Sequence, residues 1–131
     1  MSTREMTSAN FTEIIETGTV FVDWWAPWCG PCRVFAPVFE AAAAEHPEVT
    51  FAKVDTEREQ QLAAAFDIRA IPTLMVFRDG ILLFREAGML PPAALEELVK
   101  RVAELDMDDV RRRIADAARP TESGSALPRG Q

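Results

Sequence analysis

Cys29 and Cys32 are the two cysteines of the chain, three positions apart in the stretch Val20-Phe21-Val22-Asp23-Trp24-Trp25-Ala26-Pro27-Trp28-Cys29-Gly30-Pro31-Cys32. An apolar, β-prone run ends there in aromatics and a proline, and the cysteines follow where a helix should begin. Unpaired N–H groups and the helix macrodipole favour an anion at a first turn, so Cys29 should lose its proton more readily than a free thiol does. Cys32 lies on the same helix face, near enough to close a disulfide without long-range chain movement. These residue types at this spacing predict thiol–disulfide exchange.

A structural staple and a metal site are the competing readings of such a pair. No apolar run approaches the roughly 18 residues of a membrane-spanning helix. The start Met1-Ser2-Thr3-Arg4-Glu5 lacks the apolar core of a signal peptide. A cytoplasmic protein is therefore expected, and in that compartment a cysteine pair serves catalysis or metal binding rather than stapling. Metal is the weaker choice, because His46 is the single histidine and there is no third cysteine to complete a tetrahedral site. The formal net charge of -7 argues against nucleic acid or an anionic membrane as partner, since no basic excess is available to neutralise phosphates.

The elements that must position the pair follow from periodicity. A chain of 131 residues with 48% hydrophobic and 27% charged residues suits one soluble globular domain. Thr7 or Ser8 is expected to cap a short helix with the apolar face Phe11, Ile14 and Ile15, ending near Gly18. Val20 to Trp25 reads as a strand covered on both faces, in which the one charge, Asp23, is conspicuous. From Cys29 or Gly30 a helix should run to about His46, with Val34, Phe35, Val38, Phe39 and Ala42 inward and a kink at Pro37. Val49 to Asp55 is the next strand, with Lys53 as its unexpected charge, and a helix from about Glu57 to Phe66 follows.

Strands alternating with helices imply right-handed βαβ units and a partly parallel sheet. Thr73 to Phe77 is a further strand, and Asp79-Gly80 is a hairpin signal into Ile81 to Arg85, so the sheet ends antiparallel. Pro91-Pro92 opens a helix through about Glu104 with Leu95, Leu98, Val99 and Val102 inward. An added helix is expected over 106–118, capped by Asp106, with Asp108–Arg112 and Asp109–Arg113 paired at i,i+4 and Pro120 as its stop. The polar segment 119–131 is expected to be disordered. His46 should sit solvated near a helix end, and the Ala41 to Ala44 run reads as helix packing.

Trp28-Cys29-Gly30-Pro31-Cys32, preceded by Val22-Asp23-Trp24-Trp25-Ala26 and followed by Ile71-Pro72-Thr73 and Gly88, resembles the thioredoxin family over roughly residues 8 to 104. The resemblance implies an α/β thioredoxin fold, a central mixed sheet flanked by helices on both faces, here with an added C-terminal helix and tail after a domain of residues 1–105. It implies reduction of protein disulfides, with Cys29 as attacking thiolate and Cys32 as resolving thiol. Asp23 would be the buried acid behind Cys32, and Lys53 its neighbour on the adjacent strand. Ile71 and Pro72, the latter in cis, would face the disulfide. Trp28, Gly30, Pro31, Ile71, Pro72 and Gly88 would hold an extended substrate segment.

No cofactor and no metal are implied, only the redox-active pair itself. The partners implied are protein disulfides and a flavin-dependent thioredoxin reductase, with the protein acting as a monomer. Gly30-Pro31 between the cysteines is the pair typical of the family's reductases, whereas oxidases and isomerases of this fold usually carry a histidine there. Two features depart from the family pattern: only about Arg4 to Met6 could supply a first strand, and Trp24 replaces a common phenylalanine. The alternative function is a binding or assembly module on the same fold, in which partner contacts rather than turnover are the main role.

Overall fold

The computed structural model describes residues 2–119, so the expectations for Pro120 and for 120–131 fall outside the described residues. Contacts divide the chain into two units, Met1–Lys100 and Arg101–Gln131. In the first, five strands form one sheet: β1 (Thr3–Glu5), β2 (Thr19–Trp25), β3 (Thr50–Asp55), β4 (Thr73–Arg78) and β5 (Ile81–Ala87), in the order β1-β3-β2-β4-β5. β1 and β2 each run parallel to β3, while β2–β4 and β4–β5 are antiparallel. The short polar segment before the first helix does supply an edge strand, with Arg4 opposite Ala52. Its order comes from pairing with β3 rather than from its own composition.

β2 is central, and its residues alternate between two buried faces. Val20, Val22 and Trp24 join the cluster of Met6, Phe11, Ile14, Val54, Ala63 and Met75, which takes in helices α1 (Phe11–Ile15) and α3 (Gln60–Ala65). Phe21 stacks on Phe51, which meets Phe39 of helix α2 (Gly30–Glu45) edge-on. Asp23 lies two residues along from Phe21 and so shares the α2 side of the sheet. Trp24 is fully buried, and its indole N–H has no hydrogen-bond partner. A phenylalanine would leave no such donor unpaired.

The β4–β5 turn follows the predicted hairpin: Asp79 and Gly80 both have positive φ, +52° and +84°. Asp79 also accepts the Gly18 N–H at 2.9 Å, tying this turn to the one before β2. Three local expectations are corrected. The α1 N-cap is Asn10 and its side chain makes no capping bond to the helix; its Oδ1 instead accepts the Thr7 N–H at 2.7 Å, because residues 7–10 form a turn of their own. Val34, expected inward, is 62% exposed, while Cys32, Phe35, Phe39, Ala42 and Ala43 make the buried stripe of α2. His46 is not simply solvated: its Nε2 lies 2.8 Å from Glu96 of helix α4 (Pro92–Ala103) and its Nδ1 3.4 Å from Glu48.

The second unit carries helix α5 (Met107–Ala118). Asp106 caps it, accepting the N–H groups of Asp108 and Asp109 at 3.0 and 3.2 Å. Asp109 pairs with Arg113 as predicted, at 2.9 Å. The predicted Asp108–Arg112 pair is replaced: Arg111 takes Asp108 at 3.0 Å and Arg112 turns to Asp109 at 3.1 Å. Both contacts are i,i+3 pairs, which lie as close on a helix surface as i,i+4 pairs.

Candidate redox site

β2 ends in Trp25, and the chain turns through Ala26-Pro27-Trp28 before α2 begins. Cys29 is the N-cap of α2, in an extended conformation (φ -86°, ψ 113°), with a proline in the first turn behind it. In this position its Sγ accepts the N–H of Cys32 at 3.2 Å, one of the donors that a helix start leaves free. Cys29 and Cys32 are joined as a disulfide, with Cα atoms 5.2 Å apart. The two cysteines are 4% and 2% exposed and pack with Ala26, Trp25 and Ile71.

A second loop packs against the cysteine pair. The Ile71–Pro72 peptide is cis, and the Ile71 carbonyl oxygen lies 3.8 Å from Cys29 Sγ. Gly88, at φ +105°, donates its N–H to the Pro72 carbonyl at 2.8 Å, so the end of β5 is fastened to the proline loop. Positive φ is what requires glycine here. Gly30 is different: a Cβ there would meet nothing within 4 Å, so this side of the site is open surface.

Asp23 is fully buried, and neither carboxylate oxygen has a hydrogen-bond partner. Burial pushes its pKa up from 3.8 to about 7, with the Lys53 charge acting in the other direction. Lys53 is its register partner on β3, yet the Lys53 ammonium lies over the Trp25 ring, 4.9 Å from the centroid. The lysine therefore influences the acid at a distance rather than by direct pairing, which is why so much of the desolvation cost remains.

Two contacts at the site have no signal in the local sequence pattern. Trp28, 64% exposed, donates its indole N–H to Glu57 at 2.8 Å. Glu57 is set up for this by Asp55, whose carboxylate accepts the Glu57 N–H at 2.9 Å in an Asx turn after β3. Arg33 donates to the Pro27 carbonyl at 2.8 Å, bracing the turn that presents the cysteines.

A cysteine pair at a helix start, covered by a cis-proline loop at the end of a mixed sheet, is the apparatus of a thiol–disulfide oxidoreductase. The chain belongs to the thioredoxin family: the family model described as Thioredoxin matches residues 2–101. It is 46% identical to "Putative thioredoxin 2" of Streptomyces coelicolor, covering 88% of this chain and 87% of that one. It is 40% identical to a thioredoxin of Chlamydia trachomatis over 70% of this chain and 90% of that one. Among solved structures it resembles oxidised mitochondrial thioredoxin 3 of Saccharomyces cerevisiae, with a TM-score of 0.69 and 29% identity over 76% of this chain and 95% of that one. The protein is thus a protein-disulfide reductase of thioredoxin type, working through its cysteine pair, and the binding-module alternative is not favoured. No helix among the described residues is long and apolar enough to cross a membrane.

Proposed function

We propose that Cys29 is the attacking thiolate and Cys32 the resolving thiol. The observation that carries this is the Cys32 N–H directed at Cys29 Sγ from the start of α2: a donor and a positive helix end together stabilise charge on that sulfur. The Cys29 thiolate attacks one sulfur of a substrate disulfide, forming a Cys29–substrate bond and expelling the other substrate sulfur as a thiolate. Cys32 then gives up its proton and attacks Cys29 Sγ. The second substrate sulfur leaves, two electrons have passed to the substrate, and Cys29–Cys32 is closed. A flavin-dependent reductase returns the pair to the dithiol.

Asp23 is the proton acceptor for Cys32, directly or through a water. Its unpartnered oxygens and a pKa of about 7 support the role, because such a carboxylate can take up and release a proton at neutral pH. Lys53 tunes Asp23 electrostatically from its seat on Trp25. Trp28, Gly30, Pro31, Ile71, Pro72 and Gly88 form the surface over which an extended substrate passes. The protein works as a cytoplasmic monomer, with the chemistry confined to residues 1–105.

Two single substitutions test the division of labour. Cys29→Ser should abolish reduction of a protein disulfide, whereas Cys32→Ser should still attack and accumulate as a mixed disulfide visible by mass spectrometry. Faster alkylation of Cys32 than of Cys29 in the reduced protein at neutral pH would reverse the assignment.

A further inference from the structure

The proline loop is fastened at its exit by Gly88, and a separate set of contacts holds it at its entry, where the chain leaves α3. There Asp67 adopts the left-handed conformation, φ +54°, and the N–H groups of Asp67 and Ile68 return to the carbonyls of Ala64 and Ala63 at 3.0 and 2.9 Å. That closure satisfies two of the carbonyls a helix end leaves free, and the Phe66 and Asp67 carbonyls lie beyond it. Arg85 of β5 takes both: its Nη1 donates to Phe66 and its Nη2 to Asp67, the latter at 2.7 Å. A guanidinium is a planar fork, so two such bonds fix the direction of the chain as well as its distance. With no glycine in the turn, the left-handed residue is not favoured on its own, and an outside hold matters more. Ile71, whose carbonyl faces Cys29, follows four residues after Asp67. β5 therefore grips the loop at both ends, through Arg85 at the entry and through Gly88 on the Pro72 carbonyl at the exit.

We infer that Arg85 is a positioning residue for protein-disulfide reduction: by holding the carbonyls of Phe66 and Asp67 it fixes the course of residues 68–72, and with it the Ile71–Pro72 edge beside Cys29. The inference rests on the proposed placement of Ile71 and Pro72 in the substrate surface. Residues 68–72 belong to no helix or strand, so their course is set by what holds their two ends. At the exit the hold is local, since Thr73 donates its hydroxyl to the Ala70 carbonyl and β4 begins at once. At the entry the hold crosses the fold, from an arginine that stands opposite Met75 in the β4–β5 register. An apolar side chain in its place would leave the two carbonyls to water, which satisfies them without directing the chain. A substrate must bring its sulfur into line with Cys29 Sγ, and such an alignment tolerates little displacement. Arg85 acts on it through the loop and not on the sulfurs.

The test compares wild type with Arg85→Met and Arg85→Lys, each as the reduced full-length protein and each shown to be folded by circular dichroism. The second-order rate of reduction of a protein disulfide, measured in single turnover, should fall about tenfold in Arg85→Met, well inside what a small misplacement costs. Arg85→Lys keeps the charge but not the fork, and should recover only part of that loss. Alkylation of Cys29 by iodoacetamide, which needs no seat on the loop, should stay within about twofold of wild type. Amide hydrogen exchange at Ile68 to Ile71 should speed up by about tenfold in Arg85→Met. Should Arg85→Met fail to fold, Arg85→Lys is read in its place, with a smaller loss expected in the same direction. Full activity in Arg85→Lys would leave charge as the cause and overturn the inference, and alkylation slowed as much as reduction would do the same by placing the effect on the sulfur. Unchanged exchange with an unchanged rate would overturn the role of Arg85 and leave the substrate surface as proposed. Faster exchange with an unchanged rate would take Ile71 and Pro72 out of the substrate surface and overturn both readings together.

Discussion

β2 and α5 both carry aspartates, and they hold them in opposite ways. Asp23 in β2 is fully buried, has no hydrogen-bond partner, and is held at a pKa of about 7 by desolvation. Asp109 in α5 is partly exposed, bonds to Arg113 and Arg112, and is held below its ordinary range, first by the Arg113 hydrogen bond. Folding makes ionisation harder for the first and easier for the second. An acid whose charge is fully satisfied stabilises a helix end but has no reason to exchange protons near neutrality. The buried acid costs stability when charged, and in the proposed mechanism that cost suits it to exchange a proton with Cys32 near neutrality.

The two acids also predict opposite responses to pH, and the largest effect belongs to Asp23. A raised folded pKa means that its contribution is fully present below the unfolded value near 3.8 and lost as pH rises through about 7. Asp23→Asn in the oxidised protein should therefore be more stable than wild type at pH 8, by roughly 4 kcal/mol, with the advantage vanishing toward pH 4. Denaturant midpoints across pH read this directly. Equal stability at pH 8 would mean that Asp23 is solvated or paired in solution, and the contrast with α5 would dissolve.

His46 stands between the extremes, 22% exposed and paired with Glu96 and Glu48. Its pKa is raised, chiefly by the Glu96 hydrogen bond, so its contribution is present below about 6.5 and fades as pH rises through the folded value. His46→Gln should lose less than about 1 kcal/mol at pH 6, after solvent screening, and almost nothing at pH 9. A loss that stays the same across pH would show that the imidazole acts by packing rather than charge.

The smallest effect is expected for Asp109→Asn. Its folded pKa is lowered, so the stabilisation is present above the unfolded value and disappears as pH falls through the folded one. At pH 7 the midpoint should shift by less than denaturation resolves, and the rate of protein-disulfide reduction should be unchanged. A reduction rate that falls would bring α5 into the chemistry.

The sequence pattern was most legible where a feature is local or strongly periodic. The apolar run of β2, the Asp79-Gly80 turn, the Asp106 cap and the Cys29–Cys32 helix start are each written within a few residues. Asp23 was legible as an exception to its own strand. What the pattern did not contain are contacts made across the fold. Glu57 reaches Trp28 because β3 ends beside β2, and His46 meets Glu96 fifty residues away. Val34 has the spacing of a core residue, but at the N-terminal end of α2 its side of the helix faces outward. The edge strand β1 was legible only as a possibility raised by the family pattern, because three residues owe their conformation to β3.

If Asp23 takes the proton from Cys32 during resolution, as proposed, the rate of that one step must depend on the Asp23 carboxylate. A mixed disulfide between Cys29 and a peptide is brought to a series of pH values in a stopped-flow instrument, and peptide release is followed in wild type and Asp23→Asn. In wild type the rate should rise with a midpoint near 7 that belongs to Asp23 and Cys32 as a coupled pair. In Asp23→Asn it should be slower by about tenfold or more at pH 7 and rise only toward the range of an unassisted thiol. Superimposable rate profiles for the two proteins would contradict the account and leave water alone as the proton acceptor.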